Sequence, residues 1–268
     1  MPQMKKKFLA LALAFATLAT NSQVVEVVSK EPLLQGVESD MFHPTISANG
    51  EYLLFTSSNF TGLKIYDFEN NVTTKISDEP RAGFKARFCG DKIVYETKTR
   101  GEFGSKSIKT KSAAISVPVA AQKVTVRTEE STIYITKNGI EKSFSPVENS
   151  AGYLWESVSP DETKVMFFAA GKGIVIMDTD GNVLSMPGNY ENPAWLGNSA
   201  IVAMNATDDG HQFRSSQIVA LSLDGQKFQQ LTSPESMTMN PTATADGETI
   251  VFGTIDGRLY KMNVKPLK

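Results

Sequence analysis

Five residues hold matching places just ahead of a recurring turn motif: His43, Lys85, Trp155, Asn192 and Asn240. Tyr153 and Glu156 flank Trp155, and Phe84, Tyr190 and Glu191 lie next to other members of the set. Aromatic faces, amides and a few charges gathered at one opening suit a peptide or a sugar, since rings take up apolar surface and amides fix orientation. The plainer alternative is that the Asn and His residues cap the turn before proline while Trp155 packs inside.

Other chemistry is thinly supplied. The chain has two histidines, His43 and His211, with neither H-x-H nor H-x-x-x-H spacing, so neither a metal nor another cofactor is expected. Cys89 is the only cysteine, which excludes an internal disulfide; within KARFCG it reads as a buried, inert thiol. Asp208-Asp209-Gly210-His211 looks calcium-like but lacks the spaced acidic pattern, and a solvated turn is the expectation. Lys98, Arg100, Lys106, Lys109 and Lys111 face only Glu102 in one stretch. That stretch reads as a docking site for anions or as the solvated outer hairpin of a sheet.

The elements that position these residues follow a repeat. Its copies are HPTISANGEYLLF, KARFCGDKIVY, KVTVRTEESTIYI, WESVSPDETKVMF, NPAWLGNSAIVAM and NPTATADGETIVF, ending at Phe55, Tyr95, Ile135, Phe167, Met204 and Phe252. The steps of 40, 40, 32, 37 and 48 residues match the period of a four-stranded propeller blade. Each copy holds a strand, a tight turn such as Asn49-Gly50 or Asp246-Gly247, and an apolar strand. Asp180-Gly181 and Asp224-Gly225 mark second hairpins further on. The expected fold is all-β: a six-bladed β-propeller of four-stranded antiparallel blades, with five or seven blades as alternatives. The last copy stops one strand short, and VVEVVSK (Val24–Lys30) is free to pair there and close the ring.

The first 22 residues stand apart. A basic start with Lys5, Lys6 and Lys7 precedes the apolar run FLALALAFATLAT, the pattern of a cleaved signal peptide. The expected division is a signal over 1–22 and one propeller domain over 23–268. Loss of the leader takes 27 basic residues to 24 against 29 acidic, a net of −5, which gives no reason to expect nucleic-acid binding. No lipoprotein cysteine follows the apolar run. A periplasmic or secreted monomer is therefore expected.

On His43-Pro44…Ser47-Ala48-Asn49-Gly50, Ser159-Pro160-Asp161-Glu162 and Asn240-Pro241…Ala245-Asp246-Gly247, the repeats resemble those of TolB-like propellers. TolB itself is a bacterial periplasmic protein with an extra α/β domain ahead of its propeller, for which about twenty residues here leave no room. The resemblance implies fold and export. Together with the lack of an evident nucleophile–base pair, it leads to an expected non-catalytic binding or scaffold protein of the cell envelope, with a protein, peptide or glycan partner. The alternative is a carbohydrate- or peptide-active lyase or hydrolase at the central channel. Two histidines, no sialidase-type Asp box and no G-x-S-x-G elbow speak against the forms it commonly takes.

Overall fold

A computed structural model describes residues 23–36, 40–89, 92–100, 106–115 and 122–267. The chain is almost wholly strands, grouped in six antiparallel sheets that form a six-bladed propeller. The first strand, β1 (Val25–Leu33), belongs to the last blade. Blade 1 holds β2 (Phe42–Ile46), β3 (Tyr52–Thr56), β4 (Leu63–Asp67) and β5 (Val72–Ser77). Blade 2 holds β6 (Arg87–Cys89), β7 (Lys92–Arg100) and β8 (Lys106–Ala114), and blade 3 holds β9 (Val124–Glu129), β10 (Thr132–Lys137) and β11 (Ile140–Phe144). Blade 4 runs through β12 (Tyr153–Val158), β13 (Lys164–Ala169), β14 (Gly173–Asp178) and β15 (Val183–Gly188). Blade 5 runs through β16 (Glu191–Leu196), β17 (Ala200–Asp208), β18 (Phe213–Ser222) and β19 (Phe228–Gln230). Blade 6 holds β20 (Thr238–Ala243), β21 (Thr249–Thr254) and β22 (Leu259–Pro266), with β1 as its fourth strand. Among the described residues, blades 2 and 3 therefore have three strands where four were expected.

The repeat motif is a hydrogen-bonded turn. In blade 4 the Ser159 hydroxyl donates to Asp161 (2.6 Å) and accepts from the Lys164 N–H (2.9 Å), which starts β13. Ser47 with Asn49, and Thr244 with Asp246, repeat the arrangement in blades 1 and 6. The turn needs a left-handed residue, supplied by Gly50 and Gly247, both at φ 76°. Glu162 occupies that place in blade 4 at φ 58°, and its carboxylate accepts from the backbone N–H groups of Lys123 and Val124. It thereby ties the turn of one blade to the first described strand of the blade before.

Five apolar clusters lie between successive blades and hold the ring. They join blades 1 and 2, 3 and 4, 4 and 5, 5 and 6, and 6 and 1. The aromatic residues ending three repeat copies, Phe55, Phe167 and Phe252, are among the largest fully buried side chains. Burial of this kind stabilises by roughly 25 cal/mol per Å² of apolar surface. Among the described residues no such cluster joins blades 2 and 3.

Blade 3 corrects the repeat frame. Glu162 meets the start of β9, whereas the Glu130 carbonyl just beyond its end accepts from the Tyr153 N–H (2.8 Å) at the start of β12. Strand β9 thus runs opposite to the innermost strand β12, as a second strand of a blade does. KVTVRTE is the second strand of blade 3, and the turn after it leads to the third.

Closure comes from the N-terminal strand. Strand β1 pairs antiparallel with β22 from Val25–Pro266 to Leu33–Leu259, with one register shift between Val27 and Ser29. Gln229 of the neighbouring blade secures the join: its Oε1 accepts from the N–H groups of Val24 (2.7 Å) and Val25 (2.9 Å), and its Nε2 donates to the Val25 carbonyl (3.0 Å). The side chain acts as a short strand across the blade boundary. Replacing Gln229 by Ala removes all three bonds and is expected to destabilise the protein by about 2 kcal/mol, lowering Tm by about 5 °C. A thermal melt unchanged by the substitution would show that β1 is held by its sheet pairing alone.

Candidate channel-mouth site

All five aligned residues adopt one unusual conformation. His43 (φ 50°), Lys85 (57°), Trp155 (55°), Asn192 (47°) and Asn240 (53°) are left-handed, and none is glycine. In blades 1, 4, 5 and 6 the residue sits at a register shift of the innermost strand, between Phe42 and Thr45, Leu154 and Ser157, Glu191 and Ala194, and Met239 and Thr242. A bulge at this point re-aims one side chain per blade, and a left-handed non-glycine residue costs about 1–2 kcal/mol to hold. For Trp155, a large side chain, the conformation is a marked outlier.

The bulges assemble a connected rim. Asn192 Nδ2 donates to Asn240 Oδ1 (2.7 Å), and Asn240 Nδ2 lies 3.2 Å from His43 Nδ1. Since Asn240 can only donate through Nδ2, His43 accepts there and is neutral. The imidazole also hydrogen-bonds to the Ser58 backbone. The relay therefore runs in one direction across blades 5, 6 and 1. His43 also stacks on Phe60, centroids 3.9 Å apart, and Phe60 meets Phe84 edge-on at 5.4 Å. The Arg81 guanidinium lies 4.0 Å over the Phe84 ring and its Nε is 3.2 Å from Glu96. Trp155 contacts Phe168 edge-on and remains 38% exposed. Lys85 Nζ reaches Glu156 at 3.4 Å, linking blade 2 directly to blade 4 past the position of blade 3.

Several expectations need revision. Tyr153 starts the innermost strand of blade 4 but is buried there, packed on Phe167, with its hydroxyl hydrogen-bonded to the Val147 backbone. Cys89 is exposed rather than buried, at the end of the short strand β6. The basic stretch from Lys98 falls on β7 and β8, which among the described residues are the two outer strands of blade 2. His211 lies in an exposed turn after Asp208 and Asp209, whose carboxylates accept backbone N–H groups within the loop. Phe60 belongs to no repeat copy; only its nearness to a hairpin end hinted at the stacking with His43.

No family model matches the chain, and no curated protein sequence matches it. Likeness appears among solved structures. TolB from Acinetobacter baumannii superposes with a TM-score of 0.54 at 16% identity, over 76% of this chain and 57% of that one. Putative TolB from Agrobacterium tumefaciens gives 0.50 at 15%, over 86% and 91%. A chain of a mitotic checkpoint complex gives 0.52 at 12%, over 84% and 74%. The fold is that of a TolB-like propeller. At these identities the likeness concerns the fold and leaves the mouth residues to be read on their own chemistry.

In this TolB-like propeller, one imidazole and one carboxyl group at the rim are displaced from their ordinary ranges. Burial lowers the His43 pKa, with the Ser58 bond opposing it. Burial raises that of Glu191, helped by the nearby charge of Asp208. A cleft of about 370 Å3, lined by Leu33, Asp40, Asp256 and Arg258 among others, opens where blades 6 and 1 meet. None of the five bulge residues lines it, so it is separate from the mouth. Among the described residues no helix is long and apolar enough to cross a membrane.

The relay makes a pH prediction. His43 has a folded pKa below its ordinary 6.5, so the unfolded chain binds a proton that the folded chain refuses. Stability should therefore fall as pH drops through 6.5 toward the lowered folded value. An NMR titration of His43 should show a midpoint below 6.5, and His43→Gln should lose this part of the acid-side slope. A midpoint at or above the ordinary value would contradict the neutral, accepting imidazole.

Proposed function

We propose that this chain is an exported, non-catalytic binding or scaffold propeller of a bacterial cell envelope, made as a signal peptide over 1–22 and a propeller domain over 23–268, with its partner seated at the channel mouth. The partner is a protein, peptide or glycan of the envelope, and the residues that meet it are His43, Lys85, Trp155, Glu156, Asn192 and Asn240. The observation carrying this reading is the repeated left-handed bulge. The same strained residue recurs in five blades and directs amides, an imidazole, an ammonium and an indole toward one rim. Strain retained in a fold needs compensation, and an interaction surface supplies a reason for it. Aromatic groups with a few oriented polar atoms are what recognition of a peptide or sugar requires.

Export is supported by the basic and apolar character of the leader and by its position directly before the strand that closes the ring. The TolB structures share the fold, and a periplasmic binding role fits this architecture.

The test is capture from an envelope extract. The purified protein should retain a specific partner, and Trp155→Ala combined with Asn240→Ala should release that partner, weakening binding by at least about tenfold, while thermal unfolding stays cooperative. Retention of the same partner by the folded double variant would remove the mouth from the interface.

A further inference from the structure

Buried polar atoms are normally hydrogen-bonded, and here the exceptions gather in one place. Among the described residues, five buried side-chain atoms have no hydrogen-bond partner: Thr73 Oγ1, Thr97 Oγ1, Ser157 Oγ, Trp195 Nε1 and Gln217 Oε1. The last three face one boundary, that of blades 4 and 5. Trp195, on the innermost strand of blade 5, packs with Met166, Ile174 and Ile176 of blade 4. Ser157, on the innermost strand of blade 4, pairs with Met166 and so shares its face. Gln217 alternates with Val219, a member of the same apolar cluster, whereas its neighbour Ser216 turns away to the Thr238 carbonyl of blade 6.

These atoms lie close to the rim. Ser157 is two residues past Trp155 on β12, and Trp195 is three past Asn192 on β16, within about 10 Å of the bulges at 3.3 Å per residue. Gln217 pairs with Asn205, one step beyond the Met204 that pairs with the pre-bulge Glu191. Trp155 belongs to the same boundary: its indole meets Phe168 edge-on at 5.2 Å, and Phe168 packs against the cluster that holds Trp195. An exposed aromatic side chain therefore stands beside three unanswered polar atoms. The indole N–H can only donate, the amide oxygen can only accept, and the hydroxyl does either.

We propose that the mouth at the boundary of blades 4 and 5 is a saccharide site, with a neutral sugar ring against Trp155 and its hydroxyls answering Ser157, Trp195 and Gln217. The inference rests on the mouth-binding reading and names the ligand's chemistry. A hydroxyl both donates and accepts, so a ring that carries several of them satisfies all three atoms. Ser157 and Gln217 are only half-buried as residues, and rotamer changes of the kind common on binding turn them to the opening. All three groups are uncharged, and the carboxylates of Glu156 and Glu191 beside the bulges disfavour a phosphate or carboxylate ligand. A polypeptide main chain presents its polar groups in a line along the rim, not down between two blades.

The test follows the fluorescence of Trp155 and Trp195, the only two tryptophans of the chain. Neutral oligosaccharides of glucose and of N-acetylglucosamine are titrated into the purified protein. At least one should give a saturable change in emission, and in Trp155→Phe the change that remains reports Trp195 alone. Ser157→Ala with Gln217→Leu should weaken binding about tenfold while Tm stays level or rises, because an orphaned polar atom contributes nothing to the fold. Should this pair fail to fold, Gln217→Leu alone should still weaken binding about fivefold. A lowered Tm with unchanged affinity would assign these side chains to structure and overturn the proposal, as would emission unmoved by every saccharide. A saturable response to uncharged peptides rich in serine and asparagine, with none to the saccharides, would overturn it in favour of a polypeptide. If the saccharides fail while Trp155→Ala with Asn240→Ala still releases an envelope partner, the sugar site falls and the mouth reading stands.

Discussion

A ring of sheets must satisfy the strand edges where it begins and ends, and here everything else depends on one antiparallel pairing, β1 with β22. An open blade 6 would expose the N–H and C=O groups of β22 and uncouple the cluster in which Val24 and Val25 pack with Val202, Phe252 and Val264. The pairing joins the two chain ends, so sheets far apart in sequence become neighbours through it. Gln229 extends the same logic sideways, spending a side-chain amide on the main chain of the next blade.

Rigidity at that level explains how the bulges persist. A left-handed Trp or Lys relaxes unless neighbouring strands fix both sides of it. In blade 4 the pairs Leu154–Phe168 and Ser157–Met166 bracket Trp155, and β13 behind them is buried between two apolar clusters. The side chain is redirected because the backbone has no alternative. The polar relay then falls out of geometry: three residues in one conformation on three adjacent blades lie close enough to pass a hydrogen bond in one direction.

The sequence carried the parts of this design that rest on local chemistry. Ser-x-Asp and Thr-x-Asp turns, and apolar strands ending in Phe55, Phe167 and Phe252, are short-range signals, and the blade count and the closing strand followed from them. The alignment of His43, Lys85, Trp155, Asn192 and Asn240 was legible for the same reason, since each sits at a fixed offset from its turn. Their backbone conformation was not legible, because nothing in a tryptophan or lysine announces positive φ. Blade 3 misled through strength of pattern. KVTVRTEESTIYI is a good hairpin, but a hairpin joins second and third strands as readily as first and second, and only the direction of β9 against β12 separates the two. Cys89 misled because an apolar neighbourhood in sequence is not burial: its strand is three residues long and exposed on alternate positions.

The departures from symmetry converge on one sector. Among the described residues blade 3 lacks an innermost strand, no apolar cluster joins it to blade 2, and Lys85 crosses the gap to Glu156. An ion pair with one partner half exposed contributes at most about 1 kcal/mol, far less than the apolar clusters at the other blade boundaries. Among the described residues the ring is thus joined by apolar packing at the chain ends and by this ion pair across the sector of blade 3. Blade 5, by contrast, is packed on both sides by apolar clusters. Among the described residues, Lys85 and Glu156 are thus the side chains that bind blade 2 to blade 4, and both stand beside the bulge residues of the mouth.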